Sequence, residues 1–115
     1  MAQLSTLGVL AMLHLFTVAD TFQIEGRGCV LVPGLPCEPG DPNVNRGARI
    51  RLRAPCGREI DTFVKEIEMI SYRTRPAKIA APILLPHDLT KDDVPVGTEV
   101  LLLEEIYETI KRPDA

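Results

Sequence analysis

Apolar residues recur along this chain at two spacings, and the change of period divides it. Leu4, Leu7, Leu10 and Ala11 lie three or four residues apart, with Val9 and Leu13 beside them, which predicts a short amphipathic helix over residues 2–13 interrupted by Gly8. From Phe16 the period becomes two. Phe16, Val18, Phe22 and Ile24 alternate with Thr17, Thr21, Gln23 and Glu25, with a slip near Asp20 of the kind a bulge leaves. One continuous strand over residues 16–24 is therefore expected. Glu25-Gly26-Arg27-Gly28 separates it from the apolar Cys29-Val30-Leu31-Val32, the layout of a β-hairpin whose glycines adopt positive φ. On that pattern alone Gly26 and Gly28 shape the turn and Arg27 points at water.

Residues 33–43, PGLPCEPGDPN, hold four prolines and two glycines and predict an irregular excursion that no central strand tolerates. Beyond it Ile50 and Leu52 alternate with Arg49, Arg51 and Arg53, a strand with one apolar and one basic face. That face has two readings. Either the arginines pair with the nearby acids Glu59, Asp61, Glu66 and Glu68, or they form a stripe that contacts an anion or RNA. Pro55-Cys56-Gly57 makes a turn into residues 59–70, where Ile60, Phe63, Val64, Ile67 and Ile70 keep helical spacing, so the local pattern predicts a helix. RTRPAK at 73–78 reads as a basic loop, Ile79 to Leu85 as an apolar run, and HDLTKDDVPVG as polar turns. TEVLLL is the final strand, and residues 104–112 either extend it or form a helical turn. Five or more short strands between turns predict a small β-barrel.

Composition narrows the function. A chain of 115 residues buries one core, and 10 prolines with 8 glycines favour strands and turns over long helices. The net charge of −3 excludes a whole-surface attraction to phosphate, so any nucleic-acid contact must be local. No glycine is followed by lysine, which excludes a phosphate-cradling P-loop. His14 and His87 have no Ser or Cys at a recognisable motif spacing, so no enzymatic activity and no cofactor are expected. Cys29, Cys37 and Cys56 lack the spacing of a zinc site, so no metal is expected either. They are free thiols in a reducing compartment, or Cys37 and Cys56 pair in an oxidising one. The apolar residues 7–19 are too short to span a bilayer. The first 26 residues lack the Lys or Arg of a signal peptide, and although Thr17-Val18-Ala19 is a passable cleavage site, cutting after it would divide the predicted strand. A cytoplasmic location follows as the expectation. Three Phe, two Tyr and no Trp are too few for a base-stacking platform.

Four segments in order carry a resemblance. VADTFQIEGRGCVLVPG at 18–34 resembles the opening hairpin of the second domain of elongation factor Tu and related translational GTPases, with Val18, Asp20, Phe22, Ile24, Gly26, Arg27, Gly28 and Val30 matching and Gly34 one position late. VNRGARIRL at 44–52 is similar to a further strand of that domain, with Gly47 in place and Ala48 where an acid is usual. EIEM at 66–69 resembles the family's G-V-E-M strand. LTKDDVPVGTEVL at 89–101 resembles its closing segment, with Asp93, Val94, Gly97, Val100 and Leu101 in place.

The resemblance implies an all-β fold: a small closed six-stranded antiparallel Greek-key barrel over residues 14–103, with an apolar extension at 1–13 and a tail at 104–115. It makes residues 59–70 strand rather than helix, and places Arg27 on a barrel end near partner domains. In the family this domain holds the aminoacylated end of transfer RNA, and Glu68 matches the glutamate that lines the terminal-adenosine pocket. Ser71 stands where that pocket has an arginine, and Lys78-Ile79-Ala80-Ala81-Pro82 lacks its asparagine. The implied function is a stand-alone, non-catalytic translation-factor-like module. Its partners are transfer RNA, the ribosome or a translation GTPase, met through Arg27, Arg49, Arg51, Arg53 and Glu68. The alternative is a protein-interaction barrel that has lost RNA binding and forms a homo-oligomer through residues 2–13.

Overall fold

Strand period governs the chain almost throughout. The computed structural model describes residues 8–68 and 79–107. Eight strands follow in order: β1 Gly8–Thr17, β2 Asp20–Ile24, β3 Gly28–Pro36, β4 Arg49–Arg53, β5 Glu59–Phe63, β6 Glu66–Ile67, β7 Ala80–Leu84 and β8 Glu99–Tyr107. A 3-10 turn at Lys91–Asp93 precedes β8. They form two four-stranded antiparallel sheets, ordered β1-β8-β4-β5 and β2-β3-β7-β6. The all-β expectation therefore holds. Two sheets of eight strands stand where one closed six-stranded barrel was expected.

The extra strands arise because two expected strands are each divided at a buried valine. Residues 16–24 are not one continuous strand: β1 ends at Thr17, and the chain passes to the other sheet through Val18 and Ala19. Val18 donates to the Thr98 carbonyl at 2.8 Å and accepts from Gly97 at 2.9 Å, while Ala19 donates to Val32 in the second sheet at 2.8 Å. Residues 59–70 divide the same way. Val64 donates to Ala48 at 2.9 Å and accepts from Gly47 at 2.7 Å, and Lys65 then donates to Leu84 of the second sheet at 2.9 Å. Val18 and Val64 are both buried, so each corner plugs the space between the sheets.

That space is the core. Leu31 and Ile83 of one sheet and Ile50, Leu52 and Val100 of the other are shut off from water, as period-two strands facing each other require, and Leu85 and Val94 from the connections join them. The buried Cys29 thiol belongs to the same cluster, and burial pushes its pKa up, with Asp93 adding to the effect, so it is a poor nucleophile. All three cysteines are free, so Cys37 and Cys56 do not pair here.

Three local expectations need correction. The predicted helix over residues 2–13 is strand from Gly8 onward, because β8 supplies a partner whose pairing outweighs the weak helical spacing; residues 2–7 lie outside the described part. The helix predicted at 59–70 is strand through Ile67, and residues 69 and 70 lie outside the described part. The proline-rich excursion begins four residues late, since β3 runs on to Pro36. Beyond Val32 it has lost β2 as a neighbour, and its register against β7 shifts between Leu31 and Leu35. A strand margin with a bulge is where the missing proline N–H is tolerated. At the other end β8 extends the expected final strand to Tyr107, taking in the start of the predicted tail.

Candidate functional site

The β2–β3 hairpin closes as the GRG motif predicts. Arg27 N–H donates to the Ile24 carbonyl at 3.0 Å, and Gly26 at φ +81° supplies the positive angle a type II turn needs at its third position. Gly28, at φ +133°, has a second reason to be glycine: a Cβ there would lie 2.5 Å from the Leu85 carbonyl oxygen. Gly47 and Gly97 also hold positive φ at their turns, as expected.

Arg27 does not simply point at water. Its Nη2 donates to Glu68 Oε2 at 3.0 Å, across 41 positions of sequence. Glu68 is held by its own N–H on the Pro82 carbonyl at 2.8 Å, beside β7. Lys65 Nζ reaches the Arg27 carbonyl at 3.4 Å, and Arg46 pairs with Glu66 at 3.7 Å on the same margin of the sheet. Two of the residues singled out from sequence therefore meet at one end of the molecule. An open cleft of about 490 Å³ adjoins the pair, lined by residues 23–28 and His87. Phe22 and Ile24 stand exposed on the neighbouring strand, Phe22 at 52%.

The basic stripe is different. The β4–β5 register sets Arg51 opposite Asp61 and Arg53 opposite Glu59. Arg51 grips Asp61 with two hydrogen bonds, at 2.6 and 3.0 Å, and Arg53 Nε donates to Glu59 at 2.9 Å. Arg49 faces Phe63 instead and makes no ion pair among the described residues. The stripe is thus a ladder of three arginines against two carboxylates, the first of the two readings for Arg51 and Arg53, with Asp61 and Glu59 as the acids. Of its cations Arg49 alone is left without a carboxylate.

These pairs make stability pH-dependent. The Arg51 hydrogen bond holds the Asp61 carboxyl below its ordinary pKa, and the same bond raises that of Arg51. Asp93 is lowered chiefly by the Thr90 N–H, with Arg58 adding a hydrogen bond at 3.1 Å. A carboxyl depressed in the folded state stabilises it fully above the unfolded value, about 4, and loses that contribution as pH falls through the folded value. Denaturant midpoints are expected to hold steady down to about pH 4 and to decline below it. Asp61→Asn and Asp93→Asn should each flatten the decline; an identical slope in both variants would show that these carboxyls do not carry it.

Among the described residues no three His, Cys, Asp or Glu side chains converge as a metal set. No helix there is long and apolar enough to cross a membrane. Sequence reasoning missed two features. Gly34 packs against Ala81 and Pro82, a close approach that neither its place amid prolines nor its displaced match in the resemblance indicated. Phe22 and Ile24 were taken as the apolar side of a strand, yet they face outward on β2. No match was found among family models, curated proteins or solved structures.

Proposed function

We propose that this chain is a non-catalytic binding module of the elongation factor Tu second-domain type, and that it engages RNA of the translation machinery through its GRG end. The observation that carries the reading is the contact between Arg27 and Glu68 at 3.0 Å. The resemblance singled out each residue in a separate segment, Arg27 at a barrel end and Glu68 in a pocket, and the contact puts the two side by side. The corners at Val18 and Val64 add support. If β1 with β2, and β5 with β6, each count as one bent strand, the eight strands reduce to the six of a closed Greek-key barrel. Free thiols at Cys29, Cys37 and Cys56 suit a reducing, cytoplasmic setting.

The contact is local, so affinity should be modest. With Arg27 lining the cleft and Lys65 Nζ at 3.4 Å from the Arg27 carbonyl, about two phosphates are neutralised, and the logarithm of affinity should fall with that of salt at a slope of about −2. The test is recovery of RNA and protein from lysate on tagged wild type, Arg27→Glu and Arg49→Glu, at low and moderate salt. Enrichment of transfer RNA or ribosomes that is lost in Arg27→Glu and kept in Arg49→Glu is the expected result. Loss in Arg49→Glu alone would move the site to the β4 face. Recovery of neither RNA nor translation factors by the wild type would overturn the reading.

A further inference from the structure

The first sheet leaves one of its margins bare. β1 is its terminal strand, and among the described residues nothing pairs with the far side of Gly8–Leu13. β4 covers β8 only from Glu99 to Leu102, so residues 8–12 and 103–107 form a ribbon of two strands with no third among the described residues. Such a ribbon is marginal in water by itself. Exposed sheet margins are normally blunted by charge, proline or shortness. β1 has none of these: GVLAMLHLFT runs ten residues without Lys, Arg, Asp, Glu or Pro. The consecutive residues Met12 and Leu13 point to opposite faces, and both are 44% exposed.

We infer that this margin of β1 pairs antiparallel with the same margin of a second copy, making a two-fold symmetric dimer with one sheet continuous across both chains. Charge selects the occupant. In a symmetric antiparallel pair each residue meets the same strand reversed, so any charge near the axis would face its own copy. An uncharged strand meets that condition, and it offers a charged foreign strand no ion pair. Glu104 and Glu105 of β8, which pair with Ala11 and Leu10, disfavour an acidic partner further. The dimer is independent of the RNA reading, because β1 lies in the other sheet from the GRG hairpin.

Sedimentation equilibrium of the full chain over a wide concentration range tests it. The expected mass is twice 12.7 kDa at high concentration, dissociating to the monomer on dilution. Met12→Glu should weaken dimerisation by at least about tenfold. Arg51, whose Nη1 lies 3.6 Å from Met12 Sδ, can receive the new carboxylate and hold the fold. Phe63→Glu, on the exposed face of β5, should leave the mass unchanged. Hydrogen exchange supplies a readout that needs no variant: amides in residues 8–13 should lose protection on dilution. A monomer at every concentration, a dimer broken by Phe63→Glu but not by Met12→Glu, or exchange in 8–13 that ignores concentration would each overturn the proposal.

Discussion

Replacing Gly34 by alanine is expected to destabilise the fold by about 2–6 kcal/mol, the sum of backbone strain and overpacking at about 1–3 each. Gly34 sits at φ +106°, a conformation that side-chain-bearing residues rarely adopt. Its missing Cβ is replaced in space by the Ala81 carbonyl and the Pro82 nitrogen, which are backbone atoms and cannot swing aside. The position also lies inside the register shift that lets β3 continue along β7, so relief of the clash would cost the Leu35–Ala81 and Pro36–Ala80 pairings. Small single domains are stable by about 5–15 kcal/mol, so a loss of this size is visible as a large drop in urea midpoint or failure to fold. Gly26→Ala is the informative comparison. It shares the positive φ with nothing within 4 Å of the added carbon, and should cost only the strain. Equal midpoints for the two variants would show that the close approach to β7 is not what demands glycine at position 34.

Leu31→Ala should cost about 2–5 kcal/mol. Leu31 is fully buried at the centre of β3, opposite Thr21 on β2 and Ile83 on β7, and it projects into the space between the sheets. Removing its branched end loses the transfer free energy of those carbons and leaves a cavity that two hydrogen-bonded sheets can close only partly. Phe63→Ala removes a larger side chain from β5 but one that is 45% exposed, and should change stability by about 0.5 kcal/mol. The contrast tests the placement of the core directly. Were Phe63→Ala the costlier change, the packing of the two sheets described above would be wrong.

The binding end and the arginine ladder divide the cations of this molecule between two roles. Arg51 and Arg53 are engaged with carboxylates of the next strand, as exposed ion pairs of small net energy. Arg27 is half exposed and tied to one partner at the rim of a cleft, where an incoming anion can compete for it. That difference, and not the number of arginines, is why the GRG end is the better candidate.

Sequence by itself determined the later core strands and the first hairpin. Alternation over Ile50 and Leu52, the apolar run 79–85 and the TEVLLL segment each became strand, and Gly26-Arg27-Gly28 became a turn, because period two and positive φ are local properties. Tertiary structure alone decided the rest. Residues 59–70 show helical spacing because the corner at Val64 switches which parity of residue faces the core: Ile60 and Val64 point inward before it, and Ile67 after it. A change of parity at a corner and a turn of helix leave the same mark in a sequence. The fate of the arginines depended on strand register, which set Arg51 against Asp61 and Arg49 against Phe63. The pairing of Arg27 with Glu68 depended on two chain segments 41 positions apart reaching the same end of the second sheet, and long-range contact of that kind has no local signature.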